Sequence, residues 1–174
     1  TLDEQERTLT DSMIVIGDAK HAVGLGGVMG GLETEVTGTT VNVMLEAATF
    51  DGVSIRRTSR ALGLRSEASS RFERGVDTVL TWNALNRAAN LLESMEACET
   101  VPGNVDAYPV PYVPAIVKVS PEAINSRIGI AITKEEMVAT LEKLQFGVQE
   151  EGAELVVTAP TWRPDVTCDA DISE

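Results

Sequence analysis

The chain has 174 residues, enough for one ordinary domain or two small ones. A formal charge of −13 excludes a generally basic nucleic-acid coat, and a single histidine excludes a Ser-His-Asp triad or a multi-histidine metal site within these residues. Apolar residues make up 43% but aromatics only 4%, so the core must rest on Val, Leu, Ile, Ala and Met.

The opening "TLDEQERTLT" is polar and reads as a raw edge or a surface strand. "SMIVIGD" (12–18) suits a buried strand and turn. "HAVGLGGVMGG" (21–31) holds five glycines but lacks the Lys-Ser/Thr of a phosphate loop. Strand backbone packed close to a neighbour or a ligand is the better reading. "TVNVMLEAA" (40–48) alternates, with Val41, Val43, Leu45 and Ala47 on one face and Glu46 on the other, which predicts a strand. A carboxylate among apolar neighbours either pairs with an arginine, the plainer reading, or waits for a ligand hydroxyl or amine.

"DGVSIRRTSRALGL" is helix-compatible, with Gly63 as its stop. Arg56, Arg57, Arg60, Arg65, Arg71 and Arg74 reverse the acidic average locally. They form either an anion-facing patch or internal ion pairs with Glu67, Glu73 and Asp77, the pairs being the plainer reading. "TVLTWNALNRAANLLESM" (78–95) predicts an amphipathic helix capped by Asp77, with Leu80, Ala84, Leu85, Ala88, Leu91, Leu92 and Met95 on its apolar face. The four prolines of "VPGNVDAYPVPYVPA" (101–115) predict an extended linker.

Beyond it, "IVKVS" reads as a strand. "SPEAINSRIG" reads as a helix capped by Ser120 with Pro121 in its first turn. "TKEEMVATLEKLQF" predicts a second helix with a Thr133/Glu136 capping box, and "GVQEE" and "ELVVTAP" a hairpin turning at Gly152. Cys98 and Cys168 have neither metal-ligand spacing nor the density of a secreted scaffold, and read as reduced, inert thiols of a cytosolic protein. No apolar run approaches the ~20 residues of a membrane helix, and no signal-peptide pattern opens the chain.

"GGVMGG", "LEAATF", "SEASSRFERGVD" and "PTWRPDV…D" occur in an order and spacing that resemble the bacterial phenylalanine–tRNA ligase beta subunit. The resemblance covers nearly the whole chain and implies a fragment of that subunit with an α+β fold. Residues 1–104 would be the latter part of the B3/B4 domain, a mixed sheet-and-helix remnant. A proline-rich linker would follow at 105–114, then a truncated, two-layer α+β B5 domain at 115–174. In that family B3/B4 is an editing site that hydrolyses tyrosine wrongly esterified to tRNA(Phe).

Glu46 matches the family's hydroxyl-recognising glutamate, Ser66 a pocket position usually held by threonine, and Ala68 the small residue two further on. Gly30 matches a glycine that lets the substrate approach closely. The family's pocket histidine lies upstream of these residues and His21 does not align with it, so no general base is named and the fragment alone is expected to be inactive. Asp165, Asp171 and Glu174 match positions that hold a magnesium ion shared with the alpha subunit, together with a further glutamate beyond Glu174. Ser173 stands where an apolar residue is usual. On the fragment itself, three carboxylates at a chain end are expected to bind magnesium weakly.

The resemblance further implies an alpha2beta2 heterotetramer in the cytoplasm that uses ATP, in the alpha subunit, to charge tRNA(Phe) with phenylalanine. By the same resemblance the arginines are mostly structural, with contact of one to a tRNA phosphate as the other reading. No DNA role is expected, since Lys118, Arg127, Lys134, Lys143 and Arg163 are outnumbered by acids in the second module. The alternative is a non-catalytic assembly or tRNA-binding module.

Overall fold

Strands β1 (Val15–Gly17), β2 (Ala22–Leu25) and β3 (Met29–Gly30) pair antiparallel in that order, so the glycine-rich stretch is a tight hairpin within a small sheet. The computed structural model describes residues 1–174, which divide into two units, 1–103 and 104–174.

In the first unit the hairpin turn fits only glycine. A Cβ on Gly26 would stand 2.8 Å from the Ile14 side chain. One on Gly27, whose φ is +66°, would stand 2.8 Å from Ile55 and 2.9 Å from Phe50. Around this turn Leu25, Val28, Ile55 and Leu64 are buried, flanked by Ile14, Phe50 and Phe72. The rings of Phe50 and Phe72 meet edge to face at 5.0 Å.

Helix α1 (Gly52–Ala61) starts at Asp51, whose carboxylate accepts from the Ser54 N–H. It closes at Gly63, as predicted, with φ +59° and the Leu64 N–H returning to the Ser59 carbonyl. Helix α2 (Glu67–Phe72) follows directly.

Three expectations for this unit fail. The strand read as buried at 12–18 forms over Val15–Gly17, but it is an edge strand with Val15 exposed and Ile16 half-buried. Residues 40–48 form no strand; they are irregular and largely exposed, Val41 at 89% and Met44 at 95%. Alternation specifies a face, but a strand also needs a partner for its backbone ladder, and none among these residues supplies one. Helix α3 (Leu80–Ser94) is present, yet it buries no residue, and Leu80, Leu91 and Met95 of its apolar stripe are exposed. It begins at Val79 without a side-chain cap; Asp77 accepts from the Val79 N–H one step outside the helix.

The second unit follows the sequence closely. Strand β4 (Ile116–Val119) leads into α4 (Pro121–Ile128) and α5 (Lys134–Lys143). The hairpin of β5 (Gly147–Glu151) and β6 (Glu154–Thr158) and a short α6 (Asp169–Ser173) complete it. The Ser120 hydroxyl caps α4, and Thr133 and Glu136 form the reciprocal capping box of α5.

The sheet order is β4-β6-β5, all antiparallel, with Val117 opposite Val157 and Val119 opposite Leu155. These four residues pack with Ile124 of α4 and with Met137 and Leu141 of α5, giving the two-layer α+β arrangement. Leu155 and Val157, on the central strand, are fully buried.

Leu155→Ala therefore leaves a cavity under both helices. It is expected to lower unfolding stability by about 2–5 kcal/mol in urea titrations, whereas Ile116→Ala, on the exposed face, changes it by less than about 0.5 kcal/mol.

Candidate functional site

Where α1 begins, its backbone lies against the end of α2. A Cβ on Gly52 would stand 2.8 Å from the Phe72 carbonyl oxygen and 3.1 Å from that of Glu73. Nothing in the sequence marks Gly52 for this, because an Asp-Gly pair before a helix reads as an ordinary start. At its other end, α2 is pinned to the glycine hairpin. The Ser66 hydroxyl donates to the Val28 carbonyl at 2.5 Å and accepts from the Ser69 N–H at 3.1 Å. The Ser69 hydroxyl in turn accepts from the Ser66 N–H at 2.9 Å, completing a capping box, and Ser69 is fully buried.

The small residues of "SEASS" thus allow the helix start and the hairpin to meet. Ser66, placed by resemblance in a pocket wall, spends its hydroxyl on this junction. Ala68, half-buried, lies in the first turn of α2. Gly30 ends β3 two residues after Val28, so the hairpin that carries it is joined to the helix start that carries Ser66 and Ala68. Its own open side is covered by Leu2, whose N–H donates to the Gly30 carbonyl at 3.0 Å and whose side chain would lie 3.3 Å from an added Cβ.

Glu46 stands apart from this junction. It is exposed, four residues before the Phe50 anchor, and makes no side-chain hydrogen bond or ion pair, so the expected Glu–Arg pair does not form. Its carboxylate is free to accept from a ligand hydroxyl.

The arginines divide. Arg71 reaches Glu67 at 3.5 Å, both exposed, and exposed Arg65 reaches the half-buried Glu73 at 3.4 Å, long contacts that contribute little to stability. Asp77 takes no arginine. Arg56, Arg60 and Arg74 have no carboxylate within ion-pair reach, and with Arg65 they line an open cleft of about 520 Å³ beside Gly63.

In the tail, the three candidate magnesium ligands do not assemble into a metal-binding group. Asp165 grips the Arg163 guanidinium through both oxygens, at 2.7–3.0 Å. Asp171 accepts from the Thr167 and Cys168 N–H groups, at 2.8 and 2.9 Å, ahead of α6. The hydrogen bond from Arg163 holds the Asp165 carboxyl below its ordinary range, and the two backbone donors do the same for Asp171. Arg163 is itself raised, first by Asp165 and further by the nearby charges of Glu174 and Asp171. A guanidinium thus already sits among the acids, and as folded here the residues do not fit a magnesium ion.

Because the Asp171 pKa is lowered, its cap is fully present above 3.8, the ordinary value, and is lost only as pH falls through the lower folded value. The Thr167 and Cys168 amide proton resonances are expected to titrate with a midpoint below 3.8, and Asp171→Asn to abolish that titration. A midpoint at or above the ordinary value would contradict the cap.

Comparison with known proteins agrees with the resemblance read from the motifs. Residues 1–97 match the B3/4 domain model and residues 117–174 the tRNA synthetase B5 domain model. The whole chain is 45% identical to a phenylalanine–tRNA ligase beta subunit of Moorella thermoacetica and 41% identical to that of Clostridium acetobutylicum. It is 39% identical to that of Geobacter metallireducens. In each case it spans 22% of the relative's length. With a B3/4 domain over more than half its length and a B5 domain after it, the chain belongs to the B3/4 domain family, in the form found in phenylalanine–tRNA ligase beta subunits.

Proposed function

We propose that this chain forms part of the editing region of a phenylalanine–tRNA ligase beta subunit, where Glu46 recognises the phenolic hydroxyl of tyrosine wrongly esterified to tRNA(Phe). The observation that carries the reading is the match along all 174 residues, which includes the Glu46, Ser66, Ala68 and Gly30 segments together. The structure adds two points in its favour: Glu46 has no internal cation to neutralise it, and Ser66 joins the Gly30 hairpin to the α2 start.

The chemistry explains the need. A pocket shaped for phenylalanine excludes an added hydroxyl by only about 10²-fold, less than translation demands. A second pocket that requires the hydroxyl sorts the errors. A carboxylate accepting the phenol proton gains about 1.5–3 kcal/mol that phenylalanine cannot supply. Hydrolysis then adds water across the ester, releasing tyrosine and the free ribose hydroxyl of the tRNA. In this reading synthesis belongs to the alpha subunit, with ATP and magnesium, and the two subunits act together on tRNA(Phe) as an alpha2beta2 heterotetramer in the cytoplasm. The Asp165, Asp171 and Glu174 positions would serve that assembly only after Arg163 is displaced. No helix of the chain is long and apolar enough to cross a membrane.

A second reading, an assembly module without chemistry, is favoured by the exposed apolar stripe of α3 and by exposed Val41, Val43 and Met44.

In the assembled alpha and beta subunits, Glu46→Ala is expected to slow deacylation of tyrosyl-tRNA(Phe) by about 10- to 150-fold, the kinetic equivalent of the missing hydrogen bond, with phenylalanyl-tRNA synthesis intact. Unchanged clearance of the tyrosyl ester would leave the assembly reading.

A further inference from the structure

Four of the fourteen basic residues face one cleft on a chain of charge −13. Arg56 and Arg60 stand one helical turn apart on the same side of α1. Arg65 follows the α1 terminus, and Arg74 comes just after α2. Two devices hold the cleft in shape. At the α1 terminus, the Ser59 hydroxyl donates to the Leu64 carbonyl at 2.7 Å, fixing the turn that carries Arg65. At the other wall, Gly52 lets the Phe72 and Glu73 carbonyls, just before Arg74, lie against the start of α1.

Glu73 is the only acid in the lining, and it engages Arg65 alone. Arg56, Arg60 and Arg74 are left without a counter-charge, although the chain carries 27 acidic residues. Like charges held together without neutralisation repel, so an anion supplied from outside would stabilise this arrangement. Guanidinium groups present paired donors that match phosphate oxygens. The cleft is open and larger than one phosphate fills, which admits a phosphate that is part of a longer strand.

We propose that this cleft is a phosphate-binding site that takes a backbone phosphodiester of RNA through Arg56, Arg60 and Arg74. The phosphate chemistry stands on the cleft alone; the RNA source rests on the reading of the chain as part of a tRNA ligase. Because the surrounding body is acidic, the site positions one part of the strand rather than coating it.

The test measures binding of tRNA(Phe) to the assembled alpha and beta subunits over a range of salt. The combined variant Arg56→Gln, Arg60→Gln, Arg74→Gln is expected to weaken binding at least about tenfold near 0.1 M salt and to flatten the log–log salt dependence by about 0.7–0.9 for each phosphate no longer neutralised. Glu73→Gln frees Arg65 and is expected to tighten binding several-fold, a gain that a misfolded variant cannot produce.

Inorganic phosphate and pyrophosphate serve as competing probes. Loss of their binding in the triple variant with tRNA affinity unchanged would overturn the RNA assignment and leave a free-phosphate site. Indifference of both ligands to all four residues overturns the proposal. Failure of the unaltered assembly to bind tRNA(Phe) would instead sink the ligase reading, and reduced tRNA affinity without any effect of Glu46→Ala on deacylation would sink only the editing role.

Discussion

The hydrogen bond from the Ser66 hydroxyl to the Val28 carbonyl sets the geometry of the first unit, because one oxygen answers two backbone demands at once. As acceptor it satisfies a free N–H at the start of α2; as donor it satisfies a carbonyl in the glycine hairpin. With that end fixed, the position of Phe72 and Glu73 follows from the six-residue length of α2, and Gly52 allows α1 to close against them. The arginine cleft inherits this placement, as do Gly30, Ser66 and Ala68 of the proposed editing site, whereas Glu46 stands apart from it. The helix start brings Ser66 and Ala68 to the hairpin of Gly30, and the helix end brings Glu73 and Arg74 to the arginines of α1.

Charge is distributed by the same economy of space. In the tail an arginine is surrounded: Arg163 is held by Asp165 and lies in the field of Asp171 and Glu174, so positive charge is consumed locally. Beside α1 the reverse holds, since one carboxylate faces four guanidinium groups. Net charge alone distinguishes neither case. An acidic chain can carry a locally cationic cleft because screening confines each exposed group to neighbours within about 10 Å.

Residues 104–174 were legible because their signals are local. A serine before Pro121, a threonine three residues before Glu136, and glycines at the left-handed positions 129 and 152 each act within one turn of chain. Strands β4 and β6 formed because each meets a partner ladder, β6 lying between β4 and β5 although β4 stands far from it in sequence. Residues 40–48 show equally good alternation and form no strand, because no partner ladder reaches them. The stripe of α3 likewise produced a helix, since periodicity and propensity suffice for that, but its burial required a neighbour.

By itself the sequence determined the α+β class, the helix starts and stops of the second unit, and, through its motifs, the family. It also marked the six arginines as one group, but left open whether acids neutralise them. Only the tertiary structure decided that four of them stay unpaired, three of these on one cleft, that Ser66 serves a helix junction, and that Glu46 meets no cation. Capping and periodicity act over a few residues and are written in the chain. Pairing of charges and packing of faces depend on which distant segments come within a few ångströms, and folding alone makes that choice.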